Sequence, residues 1–459
     1  MTREPRRAPP PIPARSWALA AVTGAGAFMA MLDATVVNLA LERIGAGFGA
    51  ALADVQWVMT GYLCALAVAL PATAWLGRRF GQATVWRASL ALFLLASVLC
   101  ALAPSLPLLV AARVLQGLAG GVMVPSGQAV IAAAVERTQL GRLMGTLGFA
   151  VALGPALGPA AGGALLAASS WPALFWINVP VGALALLASL RLLPAGERGA
   201  AGAFDWTGLA LLAGGLPLLF LGASGAAREG SGHAELALVA GAALVLAASV
   251  HTTRARQPLV RVRLLRSAPF AAAVATAALA GANMYGGLLL LPIWLHDVLQ
   301  QDVTRTGWML FVLGLGSACV LPLAGAWTDR WGGGRVSAVG AAVLALSLLP
   351  LLLPALANET VLACALAIRG AALALAQMPA VTAAYTAVAK EDVGDAATLV
   401  NIAQRLGAAF GAGAVAFMAA RPTAAGAADL DGATAVLLAL SVLGLLSALA
   451  MHVARQRGA

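Results

Sequence analysis

Ala74-Trp-Leu-Gly-Arg-Arg-Phe-Gly81 and Gly325-Ala-Trp-Thr-Asp-Arg-Trp-Gly332 are two copies of one short basic pattern, each closing a long apolar run. Gly81 and Gly332 lie 251 residues apart, and Arg113 and Arg369, each early in the second apolar run after its copy, lie 256 apart. The chain therefore repeats. Around the copies, apolar runs fall at about 17–41, 55–76, 85–103, 107–134, 140–168, 173–194, 206–225, 235–253, 269–295, 305–328, 335–354, 359–388, 393–419 and 432–453. Each is close to the ~20 residues that a spanning helix needs. Only 10% of the 459 residues are Asp, Glu, Lys or Arg, and 61% are hydrophobic. So few charges cannot cover the surface of soluble domains. The runs are continuous rather than alternating, which excludes a β-barrel. The fold class expected is an all-α polytopic membrane protein with fourteen spanning helices.

The net charge of +10 does not signal nucleic acid, because the basic residues recur between runs instead of clustering. Fourteen crossings with both termini in the cytoplasm put 21 basic residues on that side. These include Arg3, Arg6, Arg7, Arg15, Arg78, Arg79, Arg142, Arg198, Arg330 and Lys390. Four fall in outer loops (Arg43, Arg228, Arg305, Arg421), and Arg113, Arg369 and Arg405 lie inside runs. Trp17, Trp57, Trp75, Trp86, Trp171, Trp206, Trp294, Trp308 and Trp331 sit near run ends, as an interfacial belt requires. The first run holds Asp33 and lacks a small-residue cleavage site, so it reads as an uncleaved first helix. The expected layout is a tail 1–16, a six-helix half 17–194, a linker 195–253 with two further helices, a second half 254–453 and a tail 454–459. The four cysteines lie in apolar runs without metal or redox spacing.

Five stretches carry a family resemblance. They are Leu32-Asp-Ala-Thr-Val-Val-Asn-Leu-Ala-Leu41, Leu76-Gly-Arg-Arg-Phe-Gly81, Arg113-Val-Leu-Gln-Gly117 and Trp176-Ile-Asn-Val-Pro-Val-Gly182, and in the fifth run Gly145, Gly154, Gly158, Pro159, Gly162 and Gly163 at the spacing G-x8-G-x3-G-P-x2-G-G. With them the sequence resembles the fourteen-helix drug:proton antiporters of the major facilitator superfamily. The resemblance implies a major facilitator fold of two six-helix halves plus two inserted helices. It implies export of amphipathic drugs or antibiotics in exchange for protons, in a bacterial cytoplasmic membrane, by a chain that works as a monomer without cofactor, driven by the proton-motive force. The sequence departs from the pattern at Ala74, where the family usually has Gly, at Arg78, where it often has Asp, and at Glu42, where it usually has Pro. The second copy keeps the acid as Asp329.

Asp33 is the one carboxylate well inside a predicted helix. A buried charge must be paired, hydrated or protonated, and an acid that desolvation can neutralise is a proton carrier. Arg113 lies at the same expected depth, ~10–14 Å below the outer surface at 1.5 Å per residue, and is the expected partner. The fifth-run glycines are expected to seal and bend rather than to touch substrate. Substrate candidates are Asn38, Gln116, Asn283, Tyr285, Gln377 and Arg369, with Met284 and Met378 beside them; for the amides, plain interhelical hydrogen bonds are the alternative. Arg369 and Arg405 either bind an anionic group or bridge backbone carbonyls. The basic copies predict latches in which Arg78, Arg79, Gly81, Asp329, Arg330 and Gly332 dock on the opposite half. Asp329 is expected near Arg142, and Arg78 near Asp392 or Asp395. No HExxH, paired histidines or phosphate-binding loop occurs, which disfavours an intramembrane enzyme or an ATP-driven pump. A channel is disfavoured by the sealing glycines, and a dedicated exporter of one endogenous metabolite is the alternative transporter reading.

Overall fold

The computed structural model describes residues 12–193, 202–225, 232–353, 358–419, 421 and 429–457. Arg3, Arg6, Arg7, Arg198 and Arg228 of the topology count lie outside the described residues, as does part of the linker, 195–201 and 226–231. Among the described residues the fold is entirely helical. The long helices are α1 (Ala14–Phe48), α2 (Trp57–Phe80), α3 (Gln82–Ala101), α4 (Leu106–Ala134), α5 (Leu140–Ala168), α6 (Ala173–Leu192) and α7 (Trp206–Gly225). They continue as α8 (Gly232–Arg254), α9 (Ala268–Leu299), α10 (Val303–Trp331), α11 (Gly333–Leu352), α12 (Glu359–Thr386), α13 (Lys390–Ala419) and α14 (Leu430–Arg457). By length and composition twelve of them can cross a membrane; α5 and α7 carry shorter apolar stretches, Leu140–Gly154 and Trp206–Leu219.

Both ends of the described chain lie at one end of the bundle, here the termini end. Gly24 of α1 packs on Leu147 in the first half of α5, and Arg455 of α14 reaches Gly332 between α10 and α11. The two basic copies are also here, not as loops but as the last turns of α2 and α10. Gly81 and Gly332 end those helices with φ of 85° and 86°, a conformation that residues with a Cβ rarely adopt, and so turn the chain straight into α3 and α11.

The sequence places Arg43 in an outer loop; it lies instead on a helix. Helix α1 continues past its apolar run through a 3₁₀ turn, Val37–Ala40, into an amphipathic segment, Leu41–Phe48, where the Arg43 guanidinium donates to the Leu166 carbonyl. The turn begins within Thr35-Val36-Val37, three β-branched residues whose side chains crowd an α-helix, and Thr35 Oγ1 donates back to the Leu32 carbonyl at 2.8 Å. Two of the expected belt tryptophans are core residues instead: Trp86 is 0% and Trp294 1% exposed. Trp86 fits because Gly26 and Gly127 leave room against its ring.

Helices α7 and α8 pack on one another, and α7 also lies against α2 of the first half and α13 of the second. Asp205, just before α7, ties this pair to the chain beyond it. It accepts from the Gly208 N–H at 2.8 Å and the Leu259 N–H at 3.3 Å and pairs with His251 at 2.9 Å. Desolvation pushes its carboxyl up, but these partners outweigh it and hold the group below the usual carboxylate range.

Candidate functional site

Four helices of the first half meet around Asp33. Arg113 Nη1 makes an ion pair with Asp33 Oδ2, both side chains fully buried. Arg113 and Gln116 stand one turn apart on α4, so both face α1. Gln116 Nε2 donates to Asp33 Oδ1 at 3.1 Å and to Ser97 Oγ of α3 at 2.8 Å. Asn178 Nδ2, at the break inside α6, donates to the same carboxylate oxygen at 3.0 Å and to Ser97 at 3.3 Å. Arg113 Nε donates to the Val58 carbonyl of α2 at 3.1 Å, and the guanidinium carbon lies 4.1 Å from the Tyr62 ring centroid. The carboxylate thus accepts from three donors, one of them a cation, the set needed to keep a buried charge. Arg113 Nη2 is buried without a partner. Of these residues Asn178 stood in a quoted motif without a role; Ser97, Tyr62 and the Val58 carbonyl gave no signal, because their polarity is ordinary and only packing brings them in.

The second half holds the counterpart. Asn283 on α9 follows Asp33 by 250 residues, as Arg369 on α12 follows Arg113 by 256. The Arg369 guanidinium donates to Asn283 Oδ1 at 2.5 Å, and Asn283 Nδ2 donates to Ser441 Oγ at 2.6 Å and the Leu437 carbonyl at 2.9 Å. An amide stands where the first half has an acid, so the buried Arg369 charge has no counter-ion there. Its Nη1 is buried without a partner. One turn beyond Asn401 on α13, the Arg405 guanidinium lies in electrostatic range of Tyr285 and Tyr62. It makes no hydrogen bond or ion pair among the described residues.

The halves close on one another at the termini end. Asp329 Oδ1 accepts from the Gly141 N–H at 2.7 Å and Oδ2 from the Arg142 N–H at 3.0 Å and Nε at 3.3 Å. A carboxylate from one half thereby caps the start of α5 in the other, satisfying orphan donors where the helix dipole favours a negative charge. In the first half the sign is reversed: Arg78 pairs with Asp395 at the start of α13, while Asp392 pairs with Arg261 at 2.6 Å. Beneath these pairs Gln128 Oε1 of α4 accepts from Tyr385 Oη at 3.0 Å and Asn401 Nδ2 at 2.7 Å. Arg79 is exposed, and Arg330 lies 5.8 Å from the Trp331 ring centroid.

The fifth-helix glycines divide between two neighbours. A Cβ on Gly145 would meet the Leu321 carbonyl of α10 at 2.6 Å, across the halves. On Gly154, Gly158 and Gly162 it would meet Met31, Thr35 and Leu39 or Val36 of α1, within the first half. Gly163 has nothing within 4 Å, and neither have Gly307 and Gly314 of α10. The seam between α5 and α10 thus ends near Gly148, and beyond it Leu157 and Leu315 are exposed. Pro159 lies within α5 among these positions. Of the expected substrate residues, Gln116 is instead buried in the Asp33 network and Asn283 is committed to Arg369. Asn38 and Tyr285 are exposed and Gln377 half-buried.

The Arg78–Asp395 pair offers a direct test. Arg78→Asp sets two carboxylates against each other where Asp395 is 1% exposed. The expected cost to the closed arrangement is about 1–2 kcal/mol, a factor of roughly 5–30 in a two-state balance. Spin-label distances between Thr138 and Arg335, both exposed at this end, should lengthen, and adding Asp395→Arg should shorten them again. Unchanged distances in the single variant would show that the pair does not bias closure.

Helices long enough to span a membrane, a buried charge network and a seam closed at one end define a membrane transporter. The chain belongs to the Major Facilitator Superfamily, whose family model matches residues 23–412. It is 34% identical over 390 residues to the "Multidrug resistance protein B homolog" of Mycobacterium tuberculosis, covering 83% of this chain and 72% of that one. It is 33% identical over 337 residues to the "Tetracenomycin C resistance and export protein" of Streptomyces glaucescens, covering 73% and 63%. The fold is that of the proton:xylose symporter XylE, with a TM-score of 0.65 at 15% identity over 95% of each chain. It is a transporter, not an enzyme.

Proposed function

We propose that this chain is a proton-coupled antiporter that exports amphipathic organic molecules, drugs or antibiotics, across a bacterial cytoplasmic membrane. In this reading all fourteen long helices cross the bilayer, the termini end is cytoplasmic and the arrangement described is open outward. The observation that carries it is Asp33, a carboxylate with no exposed surface, held by Arg113, Gln116 and Asn178. An intramembrane acid so placed serves a proton pathway by default. The relatives named for multidrug resistance and for tetracenomycin C export support an amphipathic organic cargo. The single-metabolite alternative keeps the same mechanism and differs only in the breadth of the cargo. Purified protein in liposomes with an imposed pH gradient, loaded with ethidium, Nile red or fluorescein, is the test. Gradient-dependent movement of at least one dye is expected; movement of all three that ignores the gradient would refute antiport.

A further inference from the structure

Resting on that reading, we propose that the cargo is an organic anion, an apolar body carrying a carboxylate or sulfonate, and that Arg405 and Arg369 receive its charge. The charges inside the long helices do not balance. Three arginines lie inside the long helices: Arg113 and Arg369 in the first halves of α4 and α12, and Arg405 midway along α13. Among the described residues one carboxylate answers them, and it is fully engaged: Asp33 pairs with Arg113 and accepts from Gln116 and Asn178. The repeat puts Asn283 at the position matching Asp33, so the second half keeps the cation and has lost the acid. Two positive charges therefore stand without counter-ions.

A structural role accounts for them incompletely. Arg369 uses one nitrogen on Asn283 and leaves Nη1 without a partner in a residue that is 1% exposed. Arg405 has neither a hydrogen bond nor an ion pair among the described residues. Arg405 is half-buried, and an uncompensated guanidinium as deeply buried as that of Arg369 is costly. An anion entering the centre would supply the missing partner, and a carboxylate matches the planar fork of Arg with two parallel hydrogen bonds.

The surroundings suit the rest of such a molecule. Tyr285, on the helix that carries Asn283, is exposed, and both it and Tyr62 lie in electrostatic range of Arg405. Toward the termini end lie neutral groups, Gln128, Tyr385 and Asn401. Tyr62 also stacks under Arg113, so the anion would bind one ring away from the Asp33 pair. Among the described residues, a cationic cargo finds only the saturated Asp33 in this region.

The test is equilibrium binding to purified protein, without any gradient, of a matched series: 2-naphthylacetate, its methyl ester and 2-(2-naphthyl)ethylammonium. The carboxylate is expected to bind ~10- to 100-fold more tightly than the other two, the worth of a charge-assisted hydrogen bond. Arg405→Gln should remove most of that preference, while Arg405→Lys, which keeps the charge, should retain part of it. Arg369→Lys provides a second arm that preserves the contact to Asn283. Equal affinities across the series, a tighter ammonium, no carboxylate binding at millimolar concentration, or a preference unchanged in Arg405→Gln overturns the proposal. Any of these leaves proton-driven export standing, since that is decided by gradient-dependent dye movement.

Discussion

Asp33→Asn protein is expected to fold, to bind cargo and to lose gradient-driven efflux down to the background of empty liposomes. Loss of function at a buried residue often means only loss of fold, and here the chain contains its own control. At the corresponding place in the second half, Asn283 accepts from Arg369 at 2.5 Å, and its amide nitrogen donates to Ser441 and the Leu437 carbonyl. An asparagine at 33 recreates that pair with its amide oxygen facing Arg113, while its amide nitrogen replaces the oxygen that accepts from Gln116 and Asn178, whose side-chain amides must turn to offer an acceptor. A charge-assisted bond becomes a neutral acceptor, a loss of about 1–2 kcal/mol. The burial cost of the carboxylate disappears at the same time, which offsets part of it. What Asn cannot do is take up or release a proton. Efflux under an imposed pH gradient should vanish while thermal stability and equilibrium binding stay close to wild type. Arg113→Ala should behave differently, since it strands a buried carboxylate at a cost of about 3–5 kcal/mol and should reduce stability as well as transport. Normal pH-dependent exchange by Asp33→Asn would remove Asp33 from the coupling pathway.

What could be read from the sequence follows from what fixes each feature. Local hydropathy sets many helix limits, and runs such as 206–225 and 393–419 coincide with helices of the structure, whereas α1 continues beyond its run to Phe48. The partnership of Asp33 with Arg113 was readable because burial leaves a charge few choices. The contact of Asp329 with the start of α5 was readable because helix ends need partners. The amides were not readable. Gln116 and Asn283 look like cargo contacts in a list of polar residues, yet each is occupied by an arginine of its own half. Trp86 looked interfacial because its run begins nearby, but Gly26 and Gly127 on neighbouring helices admit it to the core. Such outcomes depend on which faces meet, information spread over helices far apart in sequence.

The glycine seam between α5 and α10 leads to the second large expected effect. A Cβ on Gly325 would sit 2.3 Å from the Gly141 carbonyl, and one on Gly145 would sit 2.6 Å from the Leu321 carbonyl. Both obstacles are backbone atoms, which cannot rotate away as a side-chain tip can. Two helices this close depend on small residues at the contact. The seam joins opposite halves, so it need not survive in every state of the protein. If the halves rock, α5 and α10 separate at this end in the alternate arrangement, and a larger residue at 325 has room there. Gly325→Val should therefore fold but be unable to close at the termini end. Transport should fall to background, because each cycle requires that closure. The Thr138–Arg335 spin-label distance should shift almost wholly to its longer population, which a clash of ~5.5 kcal/mol or more between the two states suffices to produce. Gly325→Ala, with one methyl group in the same place, should give a smaller shift. Gly163→Val is the control on the same helix pair: it meets nothing within 4 Å and should leave the distance distribution as it is. A Gly325→Val protein with the wild-type distance distribution and wild-type efflux would mean that the seam is a static contact, and the alternation of the two halves would have to proceed without parting α5 from α10.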